Sequence, residues 1–345
     1  MRRLLPFFVV ACGSQVVSPT DGGLDVVADG ASDTPPDTQL DSAGDGGDDA
    51  LLAPPSCRAG GIGAGRDCGD SGAEDCCAAP LVPGGDFKRL YDGVDFKDAS
   101  FAATVSAFRL DRYEITVGRF RAFVEARRRG EGPNIGGGAH PGDPTGWRKE
   151  WRAPSSDEMI AGMKSCSSDV GAPTWTDAPS PGDRLPINCV SWVELYGFCV
   201  WSGGRLPTNL ELAFAAGGGG QQRYFPWSVP PTSTAIEEAF AVYSAGKPAT
   251  IQPVGSRTKG AGRWGHLDLG GNVMESAIDS GSEALTLLPC VDCATPSPAT
   301  EALHYARGGS FATGPDVLRV QDHSALVSGV SRLPYVGGRC AYSIR

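Results

Sequence analysis

The stretch from Ser191 to Gly220, SWVELYGFCVWSGGRLPTNLELAFAAGGGG, constrains the fold more than any other part of the chain. It contains two helix starts. Ser191 is followed three residues later by Glu194, and Thr208 by Glu211. Each pair fits a capping box, in which the hydroxyl accepts from an orphan backbone N–H and the carboxylate reaches back to the cap. The first helix places Val193, Tyr196 and Val200 on a buried face, with Trp192 and Cys199 beside it. It stops at Ser202-Gly203-Gly204, where glycine takes the left-handed conformation that a helix end needs. Arg205-Leu206-Pro207 crosses to a second helix with Leu210, Ala213 and Phe214 on its apolar side, and four glycines end it.

The chain has 345 residues, 48 Gly and 27 Pro, which favours a loop-rich fold over a helical bundle. Its net charge of −10 is unevenly placed. Residues 1–56 hold nine Asp, no Glu and two Arg, a balance of −7; the remainder holds 31 acids and 28 bases, a balance of −3. No basic patch is interleaved with aromatics, so the composition argues against nucleic acid as a partner. Arg127-Arg128-Arg129 reads as the cationic last turn of a helix. Eleven cysteines suit an oxidising compartment with disulfides.

Met1–Ala11, MRRLLPFFVVA, is two arginines and a short apolar run, too short to span a bilayer and suited to an export signal. Val9-Val10-Ala11-Cys12 resembles a bacterial lipobox, which implies lipidation of Cys12 and a membrane-anchored protein on the cell envelope. Cys12 is then the odd cysteine, and ten remain to pair. Residues 12–56 lack aromatics and carry Asp at nearly every fourth position. Carboxylates at that spacing suggest one side of a helix, or calcium. Gly22-Gly23, Pro35-Pro36 and Gly46-Gly47 oppose a helix, so the segment reads as a disordered, self-repelling tether. Residues 57–80 form a cap with Cys57, Cys68, Cys76 and Cys77. Four cysteines allow zinc, but the spacings are not those of paired C-x2-C and no histidine is near; the reading is a disulfide-stapled cap of open connectivity.

The folded body is expected over 81–345. Phe108–Thr116 alternates like a strand, and Thr116 caps a helix over Val117–Arg129 that buries Phe120, Phe123 and Val124. Residues 130–188 are rich in Gly and Pro and read as long loops; Cys166 and Cys189 bracket part of them and are able to pair. Cys290 and Cys293 form C-x2-C. A redox pair needs a helix start beside it, whereas Pro289 and a polar loop suit a structural disulfide.

Several of these segments, in order, resemble the formylglycine-generating enzyme (sulfatase-modifying factor) family. They are Val82-Pro83-Gly84-Gly85-Asp86-Phe87, the run Phe108–Thr116, the FC-x-W-x-GGRLPT-x-x-E run through Glu211, Gly271-Asn272-Val273 with Glu275, Arg307-Gly308-Gly309-Ser310, and Gly338-Arg339-Cys340. Met274 and Ser276 replace two tryptophans of the family pattern. The resemblance implies an α+β fold, C-type-lectin-like and low in regular secondary structure. It implies a Cys199–Cys340 bridge, so that Cys166–Cys189, Cys290–Cys293 and two pairs in the cap complete ten cysteines. It implies one calcium ion held by side chains at Asp268 and Glu275 and carbonyls at Gly271 and Val273, oxygen donors such as a hard cation takes. A second family calcium site is not expected, because Ala241-Val242-Tyr243 stands at its start.

The family's oxidase chemistry does not follow. It uses copper(I) held by two cysteines after RGGS, and soft thiolates are what Cu(I) needs. Those positions hold Thr313 and Leu318, so copper is not expected; of the pocket, Ser310 matches, with Arg307 beside it. A second branch uses iron on three histidines. Here His140, His266, His304 and His323 are scattered, with no accessory helical domain. Three readings follow: a surface-anchored, non-oxidase module for an unidentified ligand or protein partner; a formylglycine-generating or related protein-modifying enzyme using other residues; or a structural envelope component.

Overall fold

The structure, a computed structural model, describes residues 53–247, 249–281 and 290–344. The expected export signal, Cys12 and nearly all of the expected tether lie outside the described residues. The tether's last residues do not: Pro55–Arg58 is a one-turn helix, α1, and buried Ser56 shares a 2.8 Å hydrogen bond with Ser202 Oγ. Folded structure therefore begins before Cys57.

Helix starts are where local sequence decides most. In α2 (Val117–Arg128) the Thr116 side chain accepts from the Arg119 N–H. In α4 (Trp192–Trp201) and α5 (Asn209–Ala216) both capping boxes are complete, Ser191 with Glu194 and Thr208 with Glu211. A third box was not anticipated. Ser155 and Glu158 start α3 (Ser156–Ser165) inside the stretch expected to be only loop. Its Met159 and Met163, one turn apart, are fully buried. The expected stripe on α4 is also corrected: Trp192 to Val200 is buried all round, Glu194 included, because α4 runs through the centre of the molecule.

The strands are short and fall into three small sheets. β1 (Leu81–Val82), β4 (Phe108–Leu110) and β10 (Ala341–Ser343) form one, in the order β1-β4-β10. β2 (Gly85–Lys88), β3 (Ala102–Val105) and β6 (Cys290–Val291) form the second, with β6 parallel to β3. The third, in the order β8-β7-β5-β9, joins β5 (Met274–Ser280), β7 (Leu303–Arg307), β8 (Leu326–Ser328) and β9 (Val336–Gly337). The alternation from Phe108 to Thr116 yields a strand only to Leu110. Beyond it, Asp111 and Glu114 are buried acids that accept from distant donors rather than ladder members.

The largest core lies between α2 and α4. Phe120 stacks on Phe198, and Phe123 meets both edge-on. Trp147 and Trp151 reach in from the 130–188 segment to Trp192 and Tyr196. That segment is thus held by the main core as well as by local contacts such as Gly136 and Gly137 to Trp147; each such buried aromatic contributes about 2–3 kcal/mol.

All ten described cysteines are paired. The bridges are Cys57–Cys77, Cys68–Cys76, Cys166–Cys189, Cys199–Cys340 and Cys290–Cys293. The neighbours Cys76 and Cys77 take different partners, and disulfides use all four sulfurs of the cap. The cap is packed on the body: Cys68 and Cys76 share a cluster with Tyr113, Val254 and Leu267, and Tyr113 OH donates to Glu74 at 2.6 Å. No helix among the described residues is long and apolar enough to cross a membrane.

Candidate functional site

β5 and β7 run antiparallel and place Glu275 opposite Arg307. The chain then turns at Gly308-Gly309-Ser310. Gly309 is left-handed (φ 67°), and a Cβ on it would meet Leu318 Cδ1 at 2.6 Å and Thr313 Oγ1 at 2.8 Å. Ser310, Thr313 and Leu318 therefore converge on one turn. What fills the turn is inert. Thr313 Oγ1 accepts from the Ser310 N–H at 2.7 Å and returns a 3.1 Å bond to Ser310 O. Leu318 is fully buried against Tyr224, Phe225 and Trp227. Ser310, itself fully buried, accepts from the Ala312 N–H at 3.3 Å.

Arg307, expected beside Ser310 in the pocket, is a tie between elements. Its guanidinium donates to Asn209 Oδ1 at the start of α5, to Val320 O at 2.9 Å and to Asp322 O at 3.0 Å. Burial lowers its pKa to about 10. It borders two cavities of about 10 Å³ each. That is room for about one water.

Copper(I) does not fit these residues. Every described cysteine sulfur is in a disulfide, and a threonine hydroxyl bound to backbone and an isobutyl group offer no soft donor. The histidines do not gather either. His140 Nε2 lies 3.6 Å from Glu211, His304 stacks on Trp192, His323 Nδ1 meets Gln321 O, and His266 is fully buried next to Leu267, whose N–H donates to Arg112 O.

Of the residues expected to hold calcium, the two carboxylates lie close by and are already engaged. Asp268 accepts from the Gly255 N–H at 2.6 Å. Glu275 is ion-paired with Arg339, whose guanidinium also donates to the carbonyls of Asp111, Arg112 and Leu267. The Gly271 N–H donates to Gly308 O, and the Val273 N–H to Glu114. Burial raises the pKa of Asp268 and of Glu275, and Arg339 works against that rise in both. One guanidinium, that of Arg339, thus stands beside three buried carboxylates, Asp268, Glu275 and Glu114. Among the described residues, the one convergent group of three His, Cys, Asp or Glu donors is Asp67, Cys68 and Cys76, and both its cysteines are in a disulfide. Asp268, Glu275 and the Gly271 and Val273 carbonyls are the oxygens that would hold calcium here, hard donors of the kind that ion takes.

The sequence reading missed Glu114. It is fully buried and accepts from Asn272 Nδ2 at 2.7 Å and the Val273 N–H at 2.9 Å, and so anchors the GNV turn. Burial, then Asp268 and Glu275, push its pKa well up. The two cap acids were also under-read. Glu211 takes a bidentate pair from Arg205 at 2.6 Å, and Glu194 takes one from Arg332 at 2.5 Å. Six residues separate Arg205 from Glu211, so that pair was open to reading; Arg332 is too distant in sequence to be matched.

The sequence pattern of the sulfatase-modifying factor enzyme 1-like domain matches residues 68–344. The chain belongs to that family. Over 254 residues it is 26% identical to a formylglycine-generating enzyme of Thermomonospora curvata, covering 67% of this chain and 81% of the relative. Over 161 residues it is 30% identical to an inactive C-alpha-formylglycine-generating enzyme 2 of Bos taurus, covering 42% of this chain and half of the relative. A hercynine oxygenase of Mycolicibacterium smegmatis is 26% identical over 255 residues, covering 69% of this chain and 55% of the relative. Among solved structures, PvdO from Pseudomonas aeruginosa aligns with a TM-score of 0.54 at 20% identity, over 81% of this chain and 97% of that one. CarF aligns with a TM-score of 0.51 at 19% identity, over 78% and 99%. These two show the fold: the sulfatase-modifying-factor-like domain is a mixed helix and sheet structure with little regular secondary structure.

Proposed function

We propose that this sulfatase-modifying-factor-like domain is not a copper oxidase but an exported binding or interaction module. One observation carries the reading. The two positions that the family resemblance gives to copper thiolates hold Thr313 and Leu318, turned respectively onto backbone and into core, and no described cysteine is free to replace them. A relative whose name records it as inactive gives the reading a parallel. Export to the cell envelope is supported by the arginine-led apolar start, by Cys12 in its lipobox-like setting, and by five disulfides, which persist in oxidising compartments. The acidic segment before the folded part would then hold the domain off the membrane.

The test is direct. The full chain, made under oxidising conditions and offered copper(I), is incubated aerobically with a cysteine-containing sulfatase-type peptide, and the peptide is weighed by mass spectrometry. The expected result is an unchanged thiol and no copper retained after dialysis. Conversion of thiol to aldehyde overturns the proposal.

A further inference from the structure

The loop after α5 holds two like charges against one glycine. Gly218 is left-handed (φ 66°), and a Cβ on it would meet Arg223 Nε at 3.2 Å and Arg263 Cβ at 3.3 Å. Both arginines are pinned, and only by neutral acceptors. Arg223 donates through Nε to Gln221 Oε1 and through Nη1 to Pro226 O, each at 2.8 Å. Arg263 donates through Nη1 to Gly218 O at 2.9 Å, and its guanidinium lies 5.4 Å over the Trp264 ring, which is itself stacked on Phe214. Neither arginine is in an ion pair among the described residues. Arg119, Arg205, Arg332 and Arg339, by contrast, each meet a carboxylate, while buried Arg307 is held by neutral acceptors away from solvent. Burial and the neighbouring Arg263 charge lower the pKa of Arg223. Arg263 is exposed and Arg223 half-buried, so the pair faces solvent.

We propose that Arg223 and Arg263 together bind an oxyanion, the sulfate or phosphate group of a ligand. A tetrahedral oxyanion presents several acceptors to planar guanidinium forks, and charge-assisted bonds of this kind are strong. The donors left over, Arg223 Nη2 and Arg263 Nε and Nη2, have no acceptor among the described residues. An anion there takes up those donors and removes the repulsion between the two cations. The neutral pins hold both side chains in place beforehand, so little side-chain freedom is lost on binding. The site shares no residue with the Ser310–Leu318 turn and does not rest on the reading of that turn.

The test titrates the full chain with sodium sulfate and, separately, sodium phosphate, with sodium chloride at matched ionic strength as reference. Binding is followed by calorimetry and by Tm. The expected result is a saturable Tm rise with at least one oxyanion and none with chloride. Arg263→Gln, at an exposed position, should keep the unliganded Tm within about 2 °C and weaken binding at least tenfold. Arg223→Gln should weaken it as much, and Arg129→Gln, at a surface arginine paired with Glu131, should not. The tighter of the two ions identifies whether sulfated or phosphorylated ligands are the source. An Arg263→Gln protein that responds as the wild type does, or a chloride response equal to that of the oxyanions, overturns the proposal.

Discussion

The helix pair α4–α5 and the turn from Gly308 to Leu318 both carry family motifs, and they have fared differently. In the helix pair the motif residues are tied to one another and to the rest of the fold. Each cap acid closes its box and also meets an arginine, and Cys199 is bridged to Cys340. In the turn, the backbone brings side chains together that offer no soft donor. Gly308 and Gly309 take left-handed conformations, and positions 313 and 318 converge with a hydroxyl and a buried isobutyl group. A scaffold is held by many coupled burials, so changes there destabilise the whole. A metal site depends on two donors, and removing them leaves the fold free to close over the gap with apolar contact.

That contrast is open to test. The largest effect belongs to the scaffold. Replacing Cys199 and Cys340 together by Ala removes a link between residues 141 apart in sequence and should destabilise by about 5 kcal/mol on chain-entropy grounds, read by urea unfolding. Glu211→Ala comes next. It strands the buried Arg205 guanidinium and opens the cap, and should cost about 3–5 kcal/mol. Burial pushes the Glu211 pKa up, but Arg205 and then His140 outweigh it and the pKa is lowered. A depressed carboxylate stabilises above its unfolded value near 4.5 and loses that contribution as pH falls. The wild type should therefore lose stability in acid more steeply than Glu211→Ala.

The turn should respond in the opposite way. The double change Thr313→Cys and Leu318→Cys should cost only about 2 kcal/mol, mainly from the trimmed leucine. It should retain about one copper(I) per chain after dialysis, where the wild type retains none. Loss of folding in that variant would show that the turn is as tightly coupled as the helices. The effect at His304 is absent at neutral pH and grows only in acid. Burial lowers its pKa to about 4, so the folded imidazole stays neutral while the unfolded one takes a proton below about 6.5. Stability is lost as pH falls from about 6.5 to about 4. His304→Gln should flatten that slope by about 1.4 kcal/mol per pH unit, measured by Tm or urea midpoint against pH.

What was legible followed distance along the chain. Both cap boxes in the central stretch, the Thr116 cap and the end of α2 rest on contacts within a few residues, and the structure has them where the sequence put them. The same signal at Ser155 and Glu158 went unread because the surrounding Gly and Pro suggested loop. The Cys199–Cys340 bridge was reached through family resemblance. Glu194 was read as a cap alone, because its partner Arg332 lies across the fold. Glu114 looked like part of an alternating strand, since burial of an acid leaves no mark on local periodicity.

The amino-acid sequence alone determined where α2, α4 and α5 begin, that ten cysteines follow residue 56, and that no thiol stands at positions 313 and 318. These are matters of residue identity and of hydrogen bonds spanning one turn. Only the tertiary structure decided that Arg339 neutralises Glu275, that Leu318 closes the turn, and that Arg223 and Arg263 face solvent together without a carboxylate. Those outcomes depend on which side chains share a desolvated space. Desolvation is a property of the packed chain, because a charge is stabilised or stranded only by what surrounds it once water has been removed.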